Sequence, residues 1–71
     1  MFVVKFGKLI HKHKRIIGKT KTYEEAWTLM AETLEKQGIR PYYYRTRKLE
    51  DNKTEQIDYG SYSEFFYIVK T

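Results

Sequence analysis

The sequence predicts one two-layer α+β domain: a single helix packed on an antiparallel sheet of four to five strands, in the order β-β-α-β-β-β. Three observations carry this expectation. Residues 22–39 show helical periodicity with start and stop signals at their two ends. The segments on either side are short, rich in β-branched and aromatic residues, and separated by turn residues. A chain of 71 residues has room for one small core, so residues 1–71 form one domain. With a single helix and several strands, covering one face of a sheet is the natural arrangement.

The first strand is expected in "FVVKF", Phe2 to Phe6, where Phe2, Val4 and Phe6 share one side and Val3 and Lys5 the other. Gly7 is expected to end it or to mark a bulge. "RIIGKT", Arg15 to Thr20, is the second strand, with a hairpin tip around His11 to His13. The helix runs from about Tyr23 to Gln37. Thr22 is its N-cap, and Glu25 three residues on completes a capping box. Tyr23, Ala26, Trp27, Met30, Ala31 and Leu34 form the apolar stripe. Trp27, Met30 and Leu34 are expected to pack onto Phe2, Val4 and Phe6. Gly38 is the left-handed residue beyond the helix, Ile39 meets Leu34 behind it, and Pro41 blocks continuation.

"PYYYRTRKLE", Pro41 to Glu50, returns to strand character. "EDNK", Glu50 to Lys53, reads as a turn, "TEQIDY", Thr54 to Tyr59, as a returning strand, and "YGSYS" as a second turn around Gly60. "EFFYIVK", Glu64 to Lys70, holds five consecutive apolar residues, which suits a central strand or one covered on both faces.

Composition bounds the function. A hydrophobic fraction of 41% with 17% aromatics argues against disorder. The chain has no cysteine, so it has no disulfide and no thiolate metal site, which suits a reducing compartment. Neither a secretory signal nor the ~20 apolar residues of a membrane span is visible. The expectation is a soluble, cytoplasmic protein with no membrane partner and no cofactor.

Charge is unevenly distributed. Residues 1–23 carry seven lysines and arginines and no acid, for +7; residues 24–71 carry seven basic and nine acidic groups, for −2. Six of the basic residues lie in "KLIHKHKRIIGKTKT", Lys8 to Thr22. Such a run attracts phosphates by counterion release, or simply forms a solvated hairpin whose charges discourage aggregation. The "GKT" of Gly18 to Thr20 lacks the earlier glycine of a phosphate-binding loop, since His13 stands there. His11 and His13 share a side of an extended strand, but two ligands flanked by lysines make no metal site. The carboxylates scatter over caps, turns and a solvated helix face, so no acid–base pair stands out and no enzyme is expected.

A second feature joins the basic run. In "YYYRTR" the strand period groups Tyr43, Arg45 and Arg47 on one face and Tyr42, Tyr44 and Thr46 on the other. Arginines rarely face a core, so the Tyr42/Tyr44 side is expected to meet the helix. Tyr43, Arg45 and Arg47 then lie on the helix-free face with Lys5, and that face is expected to be open. The last strand adds either Phe65 and Tyr67 or Phe66 and Ile68 to it. An open sheet of aromatics and arginines suits stacking of single-stranded nucleic acid. The leading expectation is a small, non-catalytic DNA- or RNA-binding domain. Tyr43 would stack, Arg45 and Arg47 would contact phosphate or stack, and Lys12, Lys14, Arg15, Lys19 and Lys21 would add long-range attraction. The alternative is a protein-interaction or inhibitor module, or a homodimer, using the same sheet face.

Overall fold

A computed structural model describes residues 1–8 and 14–71. Within them lie β1 (Phe2–Lys8), β2 (Arg15–Thr20), α1 (Tyr23–Lys36), β3 (Arg45–Lys48), β4 (Thr54–Asp58) and β5 (Glu64–Lys70). The strands form one five-stranded sheet in the order β2-β1-β5-β4-β3, with every neighbouring pair antiparallel. The helix connects one edge of the sheet, β2, to the other, β3, and covers one face. This is the α+β two-layer fold expected from the pattern. β5, the continuous apolar run, is the central strand.

Local chemistry sets the helix ends. Thr22 Oγ1 accepts the Glu25 backbone N–H at 3.1 Å, and Glu25 Oε1 accepts the Thr22 N–H at 3.0 Å, completing the capping box. Glu24 and Glu25 sit in the first turn, at the positive end of the helix dipole. At the far end Gln37 is the C-cap and Gly38 has φ +75°. The Gly38 N–H donates to the Glu35 carbonyl and the Ile39 N–H to the Leu34 carbonyl, both at 2.9 Å, which is the complete Schellman pattern.

The core lies between α1 and the sheet. Ala26, Met30 and Leu34, each four residues apart, meet Val4, Ile57, Tyr59, Phe66 and Ile68. Phe2 and Phe6 pack around this centre, as the alternation of the first strand requires. Phe66 is the largest fully buried side chain, with the Phe6 ring 4.8 Å and the Tyr59 ring 5.6 Å from its centroid. Three members of the expected stripe differ, Tyr23 among them, 38% exposed at the helix start. Ala31 is exposed, because one step past Met30 turns about 100° around the axis, away from the sheet. Trp27 is half-buried at the flank, edge-on between Tyr23 and Tyr44 at 6.4 and 5.2 Å.

The expected break at Gly7 does not occur; Gly7 continues the ladder opposite Phe65. The irregularity lies in the β1–β2 pair instead. Val4 faces Gly18 and Lys5 faces Ile16, so Ile17 is the extra residue of a bulge. The bulge lets Ile17 pack on the core while Ile16 points outward, 57% exposed. A Cβ on Gly18 would stand 2.8 Å from Leu29 Cδ2, so the glycine lets the helix side chain approach this strand.

The third strand begins at Arg45 rather than Pro41. Arg45 already pairs with Asp58, the last residue of β4, and no partner remains for Tyr42 to Tyr44. Tyr44 still reaches Trp27 as expected, but Tyr42 is fully exposed and does not pack on the helix. The Glu50–Lys53 turn is built as read. The Asp51 carboxylate accepts the Lys53 and Thr54 N–H groups, each at 2.9 Å, and the Thr54 hydroxyl at 2.7 Å, while Asn52 takes φ +58°. Those bonds, the Thr54 hydroxyl first, hold the Asp51 carboxyl below its ordinary range.

Candidate nucleic-acid interface

Strand register assigns each candidate side chain to a face, because directly paired residues share a side. Ile57 is buried under the helix and pairs with Thr46 and Phe66. The alternate positions therefore face away from the helix. One complete row crosses all five strands there: Arg47, Gln56, Tyr67, Lys5 and Ile16. Beside it lie the Arg45–Asp58 pair and the row of Thr54, Val69, Val3 and Lys19. Of the two alternatives for the last strand, Phe65 and Tyr67 are the pair on this face.

The middle of this face is not open, contrary to expectation. Tyr67 is only 6% exposed and Val3 8%. The ammonium of Lys14, the residue just before β2, lies 5.1 Å over the Tyr67 ring, and Gln56 Nε2 donates to the Tyr67 hydroxyl at 3.2 Å. Counting helices predicted a bare face; at Tyr67 the Lys14 ammonium lies against the ring and the Gln56 amide against the hydroxyl. What remains accessible is the β3 side. There Arg45 and Arg47 are exposed, Tyr43 is half-exposed, and the Arg45 guanidinium rests 5.2 Å from the Tyr43 ring centroid. Between them runs a shallow groove of about 320 Å³, lined by Arg45, Thr46, Arg47, Gln56, Asp58 and Phe65.

The remaining candidates are dispersed. Lys19 is on the helix-free face through its pairing with Val3. Arg15 pairs with Phe6, a helix-side position, and Lys21 lies off the sheet, its N–H 3.2 Å from the Glu25 carboxylate. Lys12, His11 and His13 lie outside the described residues. Gly18 to Thr20 belong to a strand, not to a loop opening a helix, so the resemblance to a phosphate loop has no structural basis. Among the described residues no cluster of three or more histidine, aspartate or glutamate side chains could hold a metal, and no helix is long and apolar enough to cross a membrane.

The exposed side of α1 carries Glu24, Glu25, Glu32 and Glu35 against Lys36. The opposite face carries Lys5, Lys19, Arg45 and Arg47, with the Lys14 ammonium above Tyr67, against Asp58. The helix side of the sheet mixes both signs, with Arg15, Lys48 and Lys70 beside Glu55 and Glu64, whereas among the paired strand positions of the helix-free face Asp58 is the single acid. Gln56, Asp58 and the Lys14–Tyr67 contact were not among the expected site residues. Alternation in "TEQID" would have found the first two, since both have the parity opposite to Ile57.

A second groove, about 280 Å³, opens on the helix side, where Lys48, Lys53 and Lys70 surround Tyr23, Glu55 and Ile68. Tyr23 donates its hydroxyl hydrogen to Glu55, and burial followed by that bond raises the tyrosine pKa. No protein-family model, curated protein or solved structure matches the chain. The fold and the face define a small basic α+β domain with a cationic helix-free sheet face.

Proposed function

We propose that the domain is a non-catalytic nucleic-acid-binding module that takes single-stranded DNA or RNA along β3 and the adjoining helix-free sheet face. The observation that carries this reading is the cation excess of one sheet face: Lys5, Lys19, Arg45 and Arg47 share the helix-free face, where Asp58 is the single acid among the paired strand positions. Arg45 and Arg47 neutralise phosphates, and Tyr43 offers a ring to a base in exchange for the guanidinium now resting on it. Lys14 and Lys19 extend the field across the sheet. The buried Tyr67 ring takes no part in stacking, so the contact belongs to the β3 edge.

Fluorescence anisotropy with labelled single- and double-stranded oligonucleotides at two salt concentrations tests this. Reversing Arg45 and Arg47 together to glutamate weakens binding and flattens its salt dependence, by about 0.7 in log–log slope for each phosphate of a single strand that is no longer neutralised. Tyr43→Ala weakens single strands more than duplexes, by roughly 1–3 kcal/mol for one stacked base. Reversing Glu32 and Glu35 on the helix leaves binding no weaker. If the parent protein binds no oligonucleotide at low salt, the reading fails. One observation favours a second reading: β2 is a free edge strand that exposes Ile16, a combination suited to strand pairing with a protein or a second copy. A dimer in native mass spectrometry, with no oligonucleotide binding, would favour that reading.

A further inference from the structure

A surface that only attracted phosphate would gain nothing from a carboxylate among its arginines, yet Asp58, at the end of β4, lines the groove together with Arg45, Arg47, Gln56 and Phe65. Its cross-strand partner Arg45 turns its guanidinium onto the Tyr43 ring. Among the described residues Asp58 accepts one hydrogen bond, from the Gly60 N–H to Oδ1 at 2.8 Å. That bond fixes the carboxylate's orientation and leaves the lone pairs of Oδ2 unfilled. Phe65, half-buried on the same face, gives the groove an aromatic wall.

We infer that this groove receives one unstacked base and selects guanine, with Asp58 accepting from its Watson–Crick edge. The inference rests on the nucleic-acid reading above and names the ligand of that same face. A carboxylate only accepts hydrogen bonds. Guanine alone among the four bases presents two adjacent donors, N1–H and the N2 amine, on that edge. Adenine and cytosine each set one amine beside an acceptor, and thymine or uracil sets one N–H between two carbonyls, which repel a carboxylate. Recognition of the Watson–Crick edge of an unstacked base is the usual way a protein reads single strands. Arg45 and Arg47 then hold the flanking phosphates, offsetting the repulsion between those phosphates and Asp58.

The test uses labelled oligothymidylates carrying one central guanine, adenine, cytosine, inosine or thymine, with the affinity of each measured by anisotropy at low salt. The guanine oligomer binds about tenfold tighter than the others, the low end of what one bidentate base contact discriminates. Inosine, which keeps N1–H and lacks the amine, falls between. Asp58→Asn keeps the oxygen that holds Gly60, so the turn survives; it abolishes the guanine preference and leaves all-thymine affinity equal or higher. Equal affinity of the parent for all five oligomers overturns the inference while leaving the binding reading intact. So does a guanine preference that persists in Asp58→Asn. A uniform gain for every base in that variant, with no preference in the parent, would reduce Asp58 to a ballast charge for Arg45. Absence of any binding removes both readings.

Discussion

Replacing Tyr67 by alanine tests whether the second face of the sheet is core. The ring is 6% exposed on the side away from the helix, where a two-layer domain with one helix has no second layer to bury it. A buried aromatic side chain removes some 150–250 Å² from water, which at about 25 cal/mol per Å² corresponds to roughly 4–6 kcal/mol as an upper bound. Measured truncations of buried phenylalanine and tryptophan cost about 3–5 kcal/mol. A 71-residue chain has roughly 4–11 kcal/mol in all. Tyr67→Ala should therefore leave the protein marginal, with a melting temperature lower by about 15–25 °C, whereas the same change at a solvated sheet position costs within about 0.5 kcal/mol. Tyr67→Phe separates ring from hydroxyl. It removes only the oxygen that accepts from Gln56 at 3.2 Å, a bond worth about 1 kcal/mol or less where the amide can turn to water. The assay is urea unfolding followed by Trp27 fluorescence and far-ultraviolet circular dichroism, with m-values compared. A loss under about 1 kcal/mol for Tyr67→Ala at unchanged m would refute the buried-face reasoning and return this ring to the exposed surface.

Two further outcomes concern the chain's turns. Gly38→Ala should cost on the order of 1–2 kcal/mol, read as a drop in melting temperature, because the position has φ +75° and a Cβ there meets nothing within 4 Å, leaving conformation as the whole penalty; Gly38→Asn, which tolerates the left-handed region, should recover part of it. Asp51 has a folded pKa below its unfolded value, so its contribution to stability is fully present above the unfolded value and is lost as pH falls through the folded one. Thermal melts in acid should therefore show a smaller destabilisation in Asp51→Asn than in the parent, and identical acid sensitivity of the two would contradict the turn's hydrogen bonding.

What the sequence made legible was what local chemistry determines. The capping box at Thr22, the Schellman end at Gly38, and the bounds of the second and last strands follow from interactions within a few residues, and all are present. The face assignments of Arg45, Arg47 and Lys5 needed only the two-residue period. Strand order was illegible, because pairing is a matter between distant segments that periodicity does not encode. The same limit misread Tyr42 to Tyr44: three tyrosines suit a strand, but a strand needs a partner, and β4 ends at Asp58. The covering of Tyr67 depends on where Lys14 arrives in space. Alternation locates the tyrosine on a face and is silent about its neighbours across the hairpin.

β5 is the last strand in sequence and the middle one in space, and this fixes when the sheet becomes whole. During synthesis the β1–β2 hairpin, the helix and the β3–β4 hairpin all precede the segment that joins them. Two-stranded ribbons are marginal by themselves in water, so neither half holds its register firmly while it waits. Pairing β1 with β5 brings Phe2 to Lys70, across everything that lies between the two strands. By the logarithmic law of loop closure this costs roughly 1.7 kcal/mol more than closing about ten residues. The Met1 carbonyl accepts the Thr71 N–H at 2.9 Å only after that event. Folding is thus governed by non-local pairing, the slow regime for a domain of this size. The groove beside Phe65 shares the delay: its wall arrives with β5, so a nascent chain displays the Arg45 and Arg47 charges before the groove beside them exists.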